Sequence, residues 1–385
     1  MPGLSVKLLA AKTMNQVTCS TTAAGAEAHL AYTQAASYYT SPEVFAQEHE
    51  RIFARSWQLA CHVSQVAEPG DYCTLDLLDE HLIVIRSDDG VVRAFFNVCA
   101  HRGHQLLQGA GRVPKRIVCP YHAWSYDNSG ALRQAKNCRN VPGFDVGSVH
   151  LNEVCVEEFA SFVFVNLDPQ AQPLYDLMGE IEDDMRRSAP RLVDLKLRHT
   201  TTQVLKANWK VAVENYCECY HCTTAHPTAM KAWYGVENYR VDVRGRHQIH
   251  STTTRGEMAG EVPAPLRVTE QYRAWILFPY TAVHVYPAHL NVMRWVPIDA
   301  CTTRYIEGWY VLGDELSEAN RAAIEFRANF VQVEDTAICE SVQVGLRSRG
   351  YRPGRLMIDG SGNGSSEHGV HHHQCMVLEA MSRPA

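Results

Sequence analysis

Residues 99–104 read CAHRGH and residues 119–124 read CPYHAW, and these two stretches decide what kind of fold must surround them. Each offers one thiolate and one imidazole: Cys99 with His101, and Cys119 with His122. Two loops of this composition can clasp a small inorganic cluster from both sides. A [2Fe–2S] cluster of mixed ligation needs Cys₂ on one iron and His₂ on the other, which is the set supplied here. Soft thiolates suit iron and sulfide, and imidazoles raise the potential above that of an all-thiolate cluster. A structural zinc site can use the same ligand types, but zinc patterns keep the cysteines together and the histidines together, whereas here each half is mixed. His104 is read as structural and not as a ligand.

Working outward, Gln58 to Pro169 is a succession of short apolar or alternating runs, among them His81–Arg86, Val91–Phe96 and Phe159–Asn166, broken by Pro-Gly, Asp-Gly and Ser-Gly turns. That pattern predicts a small all-β domain over residues 58–170. Before it, Pro42 to Trp57 (PEVFAQEHERIFARSW) has helical spacing, with Pro42 suited to a first turn. The remainder, 171–385, mixes the two periods. Leu205–Cys219 reads as helix, Ala274–Tyr286 and Tyr305–Leu312 as strands, and Glu315–Arg347 as one or two helices, giving an α+β domain. Gly360–Ser366 (GSGNGSS) lacks the spacing of a dinucleotide fingerprint and is read as a mobile loop.

A second metal site is expected in NWKVAVENYCECYHCTTAHP, residues 208–227. Glu218 and His221, three apart, would share a helix face. His221 and His226 are five apart, about 140° at helical pitch, so the chain must bend before His226 to bring both onto one ion. Pro227 makes a break there natural. Two histidines and one carboxylate with open positions form the facial triad of O₂-activating non-haem iron. The carboxylate must come from elsewhere, and VQVEDTAICESVQVGL (331–346) offers it. If Val331, Ile338, Val342 and Leu346 form the buried face, Asp335 projects near its centre, Glu334 lies off it and Glu340 is nearly opposite. An acid on a buried face is costly unless paired or metal-bound, so Asp335 is the predicted third ligand.

Composition agrees with metal chemistry. The chain has 385 residues, 46% hydrophobic, a formal net charge of −6, 13 cysteines and 19 histidines. No run of Lys or Arg makes a basic stripe for nucleic acid or an anionic membrane surface. The cysteines are odd in number and scattered, which favours metal chemistry in a reducing compartment over a disulfide framework. With no apolar run long enough to span a bilayer or form a signal-peptide core, a cytoplasmic protein is expected. Residues 1–26 lack acids, as transit peptides do, but also lack Arg, so 1–38 is read as a flexible tail.

These residues resemble the Rieske-type ring-hydroxylating oxygenase superfamily from about Tyr39 to Gln374. The likeness is strongest to its carnitine monooxygenase, choline monooxygenase and betaine demethylase branch, carried by YTSPEVFAQEHERIFARSW (39–57), ENYCECYHCTTAHP (214–227), ESVQVGLRSRGY (340–351) and SSEHGVHHHQ (365–374). The resemblance implies a Rieske domain inserted in a helix-grip-like catalytic domain of which 39–57 is the first helix. It also implies a homotrimer in which electrons cross from the cluster of one subunit to the mononuclear Fe(II) of the next. Glu218 matches the acid that bridges the two centres, a position where aromatic-ring dioxygenases generally carry Asp. The chain has no flavin or nicotinamide fingerprint, so a separate flavin/iron–sulfur reductase must deliver electrons from NAD(P)H. His371–His373 is read as part of a family-like C-terminal segment and not a tag.

The same branch implies oxidation beside a quaternary nitrogen, and a cation so placed is held by aromatic faces. Candidates are Trp275, Phe278, Tyr280, His284, Tyr286 and Trp295 in the strand region, with Trp233, Tyr234 and Tyr239 after the iron motif. Core packing is the competing role for each ring. The rival functions are an arene dihydroxylating alpha subunit, an electron carrier that needs no second iron, and a zinc-stabilised binding protein.

Overall fold

A computed structural model describes residues 30–232, 238–253, 267–269 and 271–383, with backbone alone for 230–232. Trp233, Tyr234 and the 1–26 segment lie outside the described residues. The chain enters through α1 (Ser37–Thr40) and α2 (Pro42–Arg51), the latter capped by Ser41 with Pro42 in its first turn. Tyr39, Ile52 and Phe53 pack against Trp209, Leu346 and Val377, far along the sequence. Glu48, fully buried, pairs with Lys210 and accepts the Trp209 indole N–H at 2.9 Å. Removing either member of that pair would strand a buried charge, at about 3–5 kcal/mol. This ties the first helix to the catalytic domain before the β domain begins.

The β domain then forms from β1 (Gln58–His62), β2 (Asp71–Leu77), β3 (Glu80–Arg86), β4 (Val92–Phe96), β5 (Ala110–Arg112), β6 (Ile117–Val118), β7 (Ser125–Tyr126), β8 (Leu132–Gln134), β9 (Glu153–Phe159) and β10 (Phe162–Asn166). One antiparallel sheet has the order β1-β10-β9-β4-β3-β2-β5, and β6-β7-β8 form a small second sheet. The run expected at Phe159–Asn166 is divided by a two-residue turn, Ala160 and Ser161, both at positive φ.

The catalytic domain follows with α3 (Leu174–Ser188), β11 (Leu195–Leu205), α4 (Trp209–Tyr216), α5 (Cys222–Ala225), α6 (Pro227–Ala232), β12 (Arg240–Arg244), β13 (His247–Thr252), β14 (Tyr272–Leu277), β15 (Thr281–Val285), β16 (Leu290–Asp299), β17 (Thr302–Leu312), α7 (Glu318–Phe326), α8 (Gln332–Leu346) and α9 (His368–Ser382). Its sheet, β11-β17-β16-β15-β14-β13-β12, is antiparallel throughout. Strand alternation sorts its side chains. Trp275, Leu277, Val283, Val285 and Tyr310 face α3 and the β domain's Phe162 and Phe164. Ile276, Ala282, Met293, Trp295 and Tyr305 face α4, α8 and α9.

Several boundaries differ from expectation. Leu205 ends a strand, and the helix expected from it begins only at Trp209, because the Asn208 side chain caps it by accepting the Lys210 N–H. Ala274–Tyr286 is a hairpin turning at Phe278–Tyr280, where Pro279 interrupts the ladder. On α8 the buried residues are Gln332, Cys339, Gln343 and Leu346, while Val342 is 44% exposed. Polar residues thus form much of the inward stripe: Gln343 accepts Asn208 N–H and donates to Tyr39 O. Gly360–Ser366, expected as a mobile loop, is exposed at Gly360 and Ser361 but anchored at Gly364. Gly364 O accepts Cys219 N–H at 2.7 Å, and a Cβ at Gly364 would meet the Tyr239 ring at 2.5 Å. His373 is buried on α9, facing Pro279 O at 3.1 Å.

Candidate metal centres

The two loops first quoted are built alike. Cys99 N–H donates to His104 O and Gly103 N–H to Cys99 O, while Cys119 N–H donates to Trp124 O and Ala123 N–H to Cys119 O. Gly103 and Ala123 both take positive φ, closing each loop into a knuckle. Both thiols are 2% exposed and adjacent, and the Tyr126 hydroxyl lies 3.2 Å from Cys99 Sγ. Outside them the His101 and His122 rings stand 4.7 Å apart, with Trp124 stacked on His101. His122 Nδ1 is buried with no hydrogen-bond partner among the described residues. Paired inner thiols, paired outer imidazoles and an orphaned ring nitrogen fit a [2Fe–2S] cluster. His104 is exposed and sits against the neighbouring Gln105 carbonyl.

The second centre is assembled from two distant segments. His221 stands at the N-cap of α5, and His226 at its C-cap immediately before Pro227, which supplies the bend that their spacing requires. Glu218 and His221 do not share a helix, because α4 ends at Tyr216 and they lie in the turn beyond it. They meet nonetheless: Glu218 accepts the backbone N–H groups of Tyr220 and His221, and its Oε1 lies 2.5 Å from His221 Nδ1. The donor atoms of His221, His226 and Asp335 lie within 4.8 Å of one another. Asp335 Oδ1 is 2.9 Å from His226 Nε2 and 3.7 Å from His221 Nε2. Glu334 Oε2 holds His226 Nδ1 at 2.8 Å. Each histidine is thus gripped at Nδ1 by a carboxylate and turns Nε2 toward the shared point, the orientation a divalent ion needs.

Cys219 and Cys222, either side of His221, form a disulfide, which the expectation of free thiols did not include. Their separation of three residues in a tight turn sets the Cα atoms 4.9 Å apart.

Above the triad a cavity of about 650 Å³, mouth included, is walled by tyrosines. Tyr216, Tyr239, Tyr272, His284 and Tyr286 line it. The Tyr216 hydroxyl contacts His284 Nε2 and lies 3.4 Å from the Tyr272 hydroxyl. Burial, and secondarily the nearby Arg327, pushes the His284 pKa well below its usual value, so the ring is neutral. Four of the aromatic candidates do not line the cavity. Phe278 packs in the core by His373, and Trp295 by Tyr305. Trp275 is on the opposite sheet face, its indole donating to Asp184, and Tyr280 packs against Phe53 and Trp209 in the core. Tyr216, Tyr272, Arg327 and Tyr126 were not singled out from sequence, and Glu334 was weighed only as an iron ligand and set aside as lying off the buried face. The available signals were the neighbour of Asp335, the tyrosine inside ENYCECYHC, and parity with His284 across the hairpin.

Residues 56–145 match the Rieske [2Fe-2S] domain, and residues 192–383 match the catalytic domain of ring-hydroxylating alpha subunits. The chain belongs to the Rieske non-haem iron oxygenase family, whose paired domains imply an iron–sulfur cluster and a non-haem iron. It is 39% identical over 357 residues to the carnitine monooxygenase oxygenase subunit of Escherichia coli K12, covering 91% of this chain and 94% of that one. It is 30% identical to the chloroplastic choline monooxygenase of Beta vulgaris, covering 91% and 77%. The crystal structure of the quaternary ammonium Rieske monooxygenase CntA with L-carnitine is similar at a TM-score of 0.84 and 36% identity, over 93% of this chain and 97% of that one.

Proposed function

We propose that this chain is the oxygenase component of a monooxygenase that oxidises a carbon bonded to the nitrogen of a quaternary ammonium substrate, drawing electrons from NAD(P)H through a separate reductase. One atom of O₂ enters the C–H bond, and the other leaves as water with two electrons and two protons. The resulting carbinol collapses to an aldehyde and a tertiary amine, by demethylation or by cleavage of the longer chain. The observation that carries this reading is the His221, His226 and Asp335 cluster at the floor of a tyrosine-walled cavity.

Iron held by those three residues would supply O₂ activation. Cys99, His101, Cys119 and His122 would hold the electron-storing cluster. The tyrosine faces attract the substrate cation at about 0.5–2 kcal/mol per contact, and neutral His284 adds no opposing charge. Glu218, already on His221, is suited to reach a cluster histidine of a neighbouring subunit in a homotrimer. His101, exposed at the tip of its knuckle, is the group such a contact requires.

The test is O₂ uptake with a surrogate reductase across carnitine, betaines, choline and aromatic acids. Aldehyde and tertiary amine should appear in step with O₂ consumed for a quaternary ammonium compound. Dihydrodiols from aromatic acids, with every quaternary amine inert, would replace the reading with arene dihydroxylation.

A further inference from the structure

The chain is acidic as a whole, yet the stretch that carries the two knuckles is basic. Residues 99–149 hold seven Lys or Arg against two Asp, while the rest of the chain holds 29 against 40. Like charges gathered on one small domain repel one another and do not stabilise its fold. Their positions show what they surround.

Arg102 is exposed on the first knuckle beside His101, with its guanidinium 5.3 Å over the Tyr121 ring of the second. β8 lies antiparallel to β7 with Gln134 opposite Ser125, so the segment after it, exposed at Lys136 and Arg139, runs alongside the second knuckle. Cys138 and Phe144 pack on the same core cluster as Trp124, and Phe144 meets the Trp124 ring edge-on at 5.6 Å. Trp124 in turn stacks on His101. Arg102, Lys136 and Arg139 have no ion-pair partner among the described residues. The two acids of the stretch are engaged elsewhere: Asp127 pairs with Arg133, and Asp145 accepts the Gly147 N–H at 2.9 Å. Lys115 and Arg116, also exposed and unpaired among the described residues, stand at the far end of the β6–β7 hairpin, because β6 runs from them toward the knuckle.

A cluster in the proposed role is filled from outside and emptied toward an iron. With the tip at His101 given to Glu218 of a neighbouring subunit, the donor needs an adjoining surface that stays open. The flank bearing Trp124, Lys136 and Arg139 adjoins that tip.

Resting on the function proposed above, we infer that this flank, with Arg102 at its rim, is the docking surface for the electron-donating domain of the reductase, and that the domain presents carboxylates around its own redox centre. Each encounter moves one electron: the donor's centre is oxidised as the diferric cluster becomes an Fe(II)–Fe(III) pair. Facing patches of opposite charge speed and orient such an encounter more than they prolong it.

The test uses the holoenzyme with a reductase that supports its turnover. Lys136→Gln with Arg139→Gln removes two charges from the flank, and Lys115→Gln with Arg116→Gln removes two from the far end of the hairpin; both are checked for an intact cluster spectrum. In anaerobic stopped flow at low ionic strength, reduction of the cluster by the reductase should slow about 10-fold in the flank variant and less than about 2-fold in the other. Added salt should slow the wild type and have little further effect on the flank variant. The complex, followed by biolayer interferometry, should weaken in the same order. The flank variant reduced chemically beforehand should convert substrate in a single turnover as the wild type does. A wild-type rate in the flank variant, equal slowing in both variants, or a wild-type rate that rises with salt overturns the assignment. So does normal reduction by the reductase combined with a slowed single turnover, which would make the flank a contact between copies of this chain. Failure of chemically reduced wild type to convert any quaternary ammonium compound defeats the proposed function instead, and that experiment contains no reductase.

Discussion

The two metal centres are built on opposite plans. The proposed cluster ligands sit on two matched knuckles of a small β domain, close in sequence, with thiols inside and imidazoles outward. The proposed iron ligands come from the turns around α5 and from α8, more than a hundred residues apart, and His226 is 4% exposed at the foot of a cavity. An electron store needs only one exposed edge through which charge can pass. A site that oxidises a substrate must instead be recessed, walled and fed from one side.

The largest expected effects test that division. Cys99→Ser or His122→Ala should remove the visible cluster spectrum, whereas His221→Ala, His226→Ala or Asp335→Ala should leave the spectrum and abolish turnover, with about one iron fewer per chain by metal analysis. A spectrum lost in the second group would join centres that the structure keeps in separate domains.

Glu218→Gln addresses the link between them. Cluster and iron content should persist, while reoxidation of the reduced cluster by substrate and O₂ slows about 10- to 100-fold in stopped flow. Loss of iron instead would make Glu218 a support of the ion, and normal reoxidation would remove it from the electron path.

A smaller change is expected at Glu334, which holds His226 as Glu218 holds His221. Glu334→Gln should weaken iron binding by about 10-fold in a chelator titration without altering the cluster spectrum. Equal loss at both centres would point to unfolding and not to ligand orientation.

The smallest effect concerns Tyr126, whose hydroxyl meets Cys99 Sγ. Tyr126→Phe should lower the cluster potential by tens of millivolts in a spectroelectrochemical titration and leave iron affinity unchanged, because hydrogen bonds to cluster sulfurs stabilise the reduced state. An unchanged potential would deny that contact any electronic role.

The chain's order of residues marked out both proposed ligand sets, since thiolate and imidazole spacing is a local property and the break at Pro227 is written beside His226. It also announced the β domain through its turn residues and alternating runs. What only tertiary structure decided was direction. Asp335 reaches the triad although the inward face of α8 is not the apolar one expected, because Gln332 and Gln343 are buried through hydrogen bonds that hydrophobic periodicity does not register. Trp275 and His284 lie on opposite faces of one sheet, a matter of strand parity that became fixed only when Pro279 set the hairpin. Arg327, Val331 and Asp335 line the cavity together at four-residue steps, through the π-helical turn Arg327–Val331 that precedes α8. Spacing identifies which atoms can bind a metal; which side chains wall the space above it depends on packing between segments far apart in the chain, and local pattern carries no record of that.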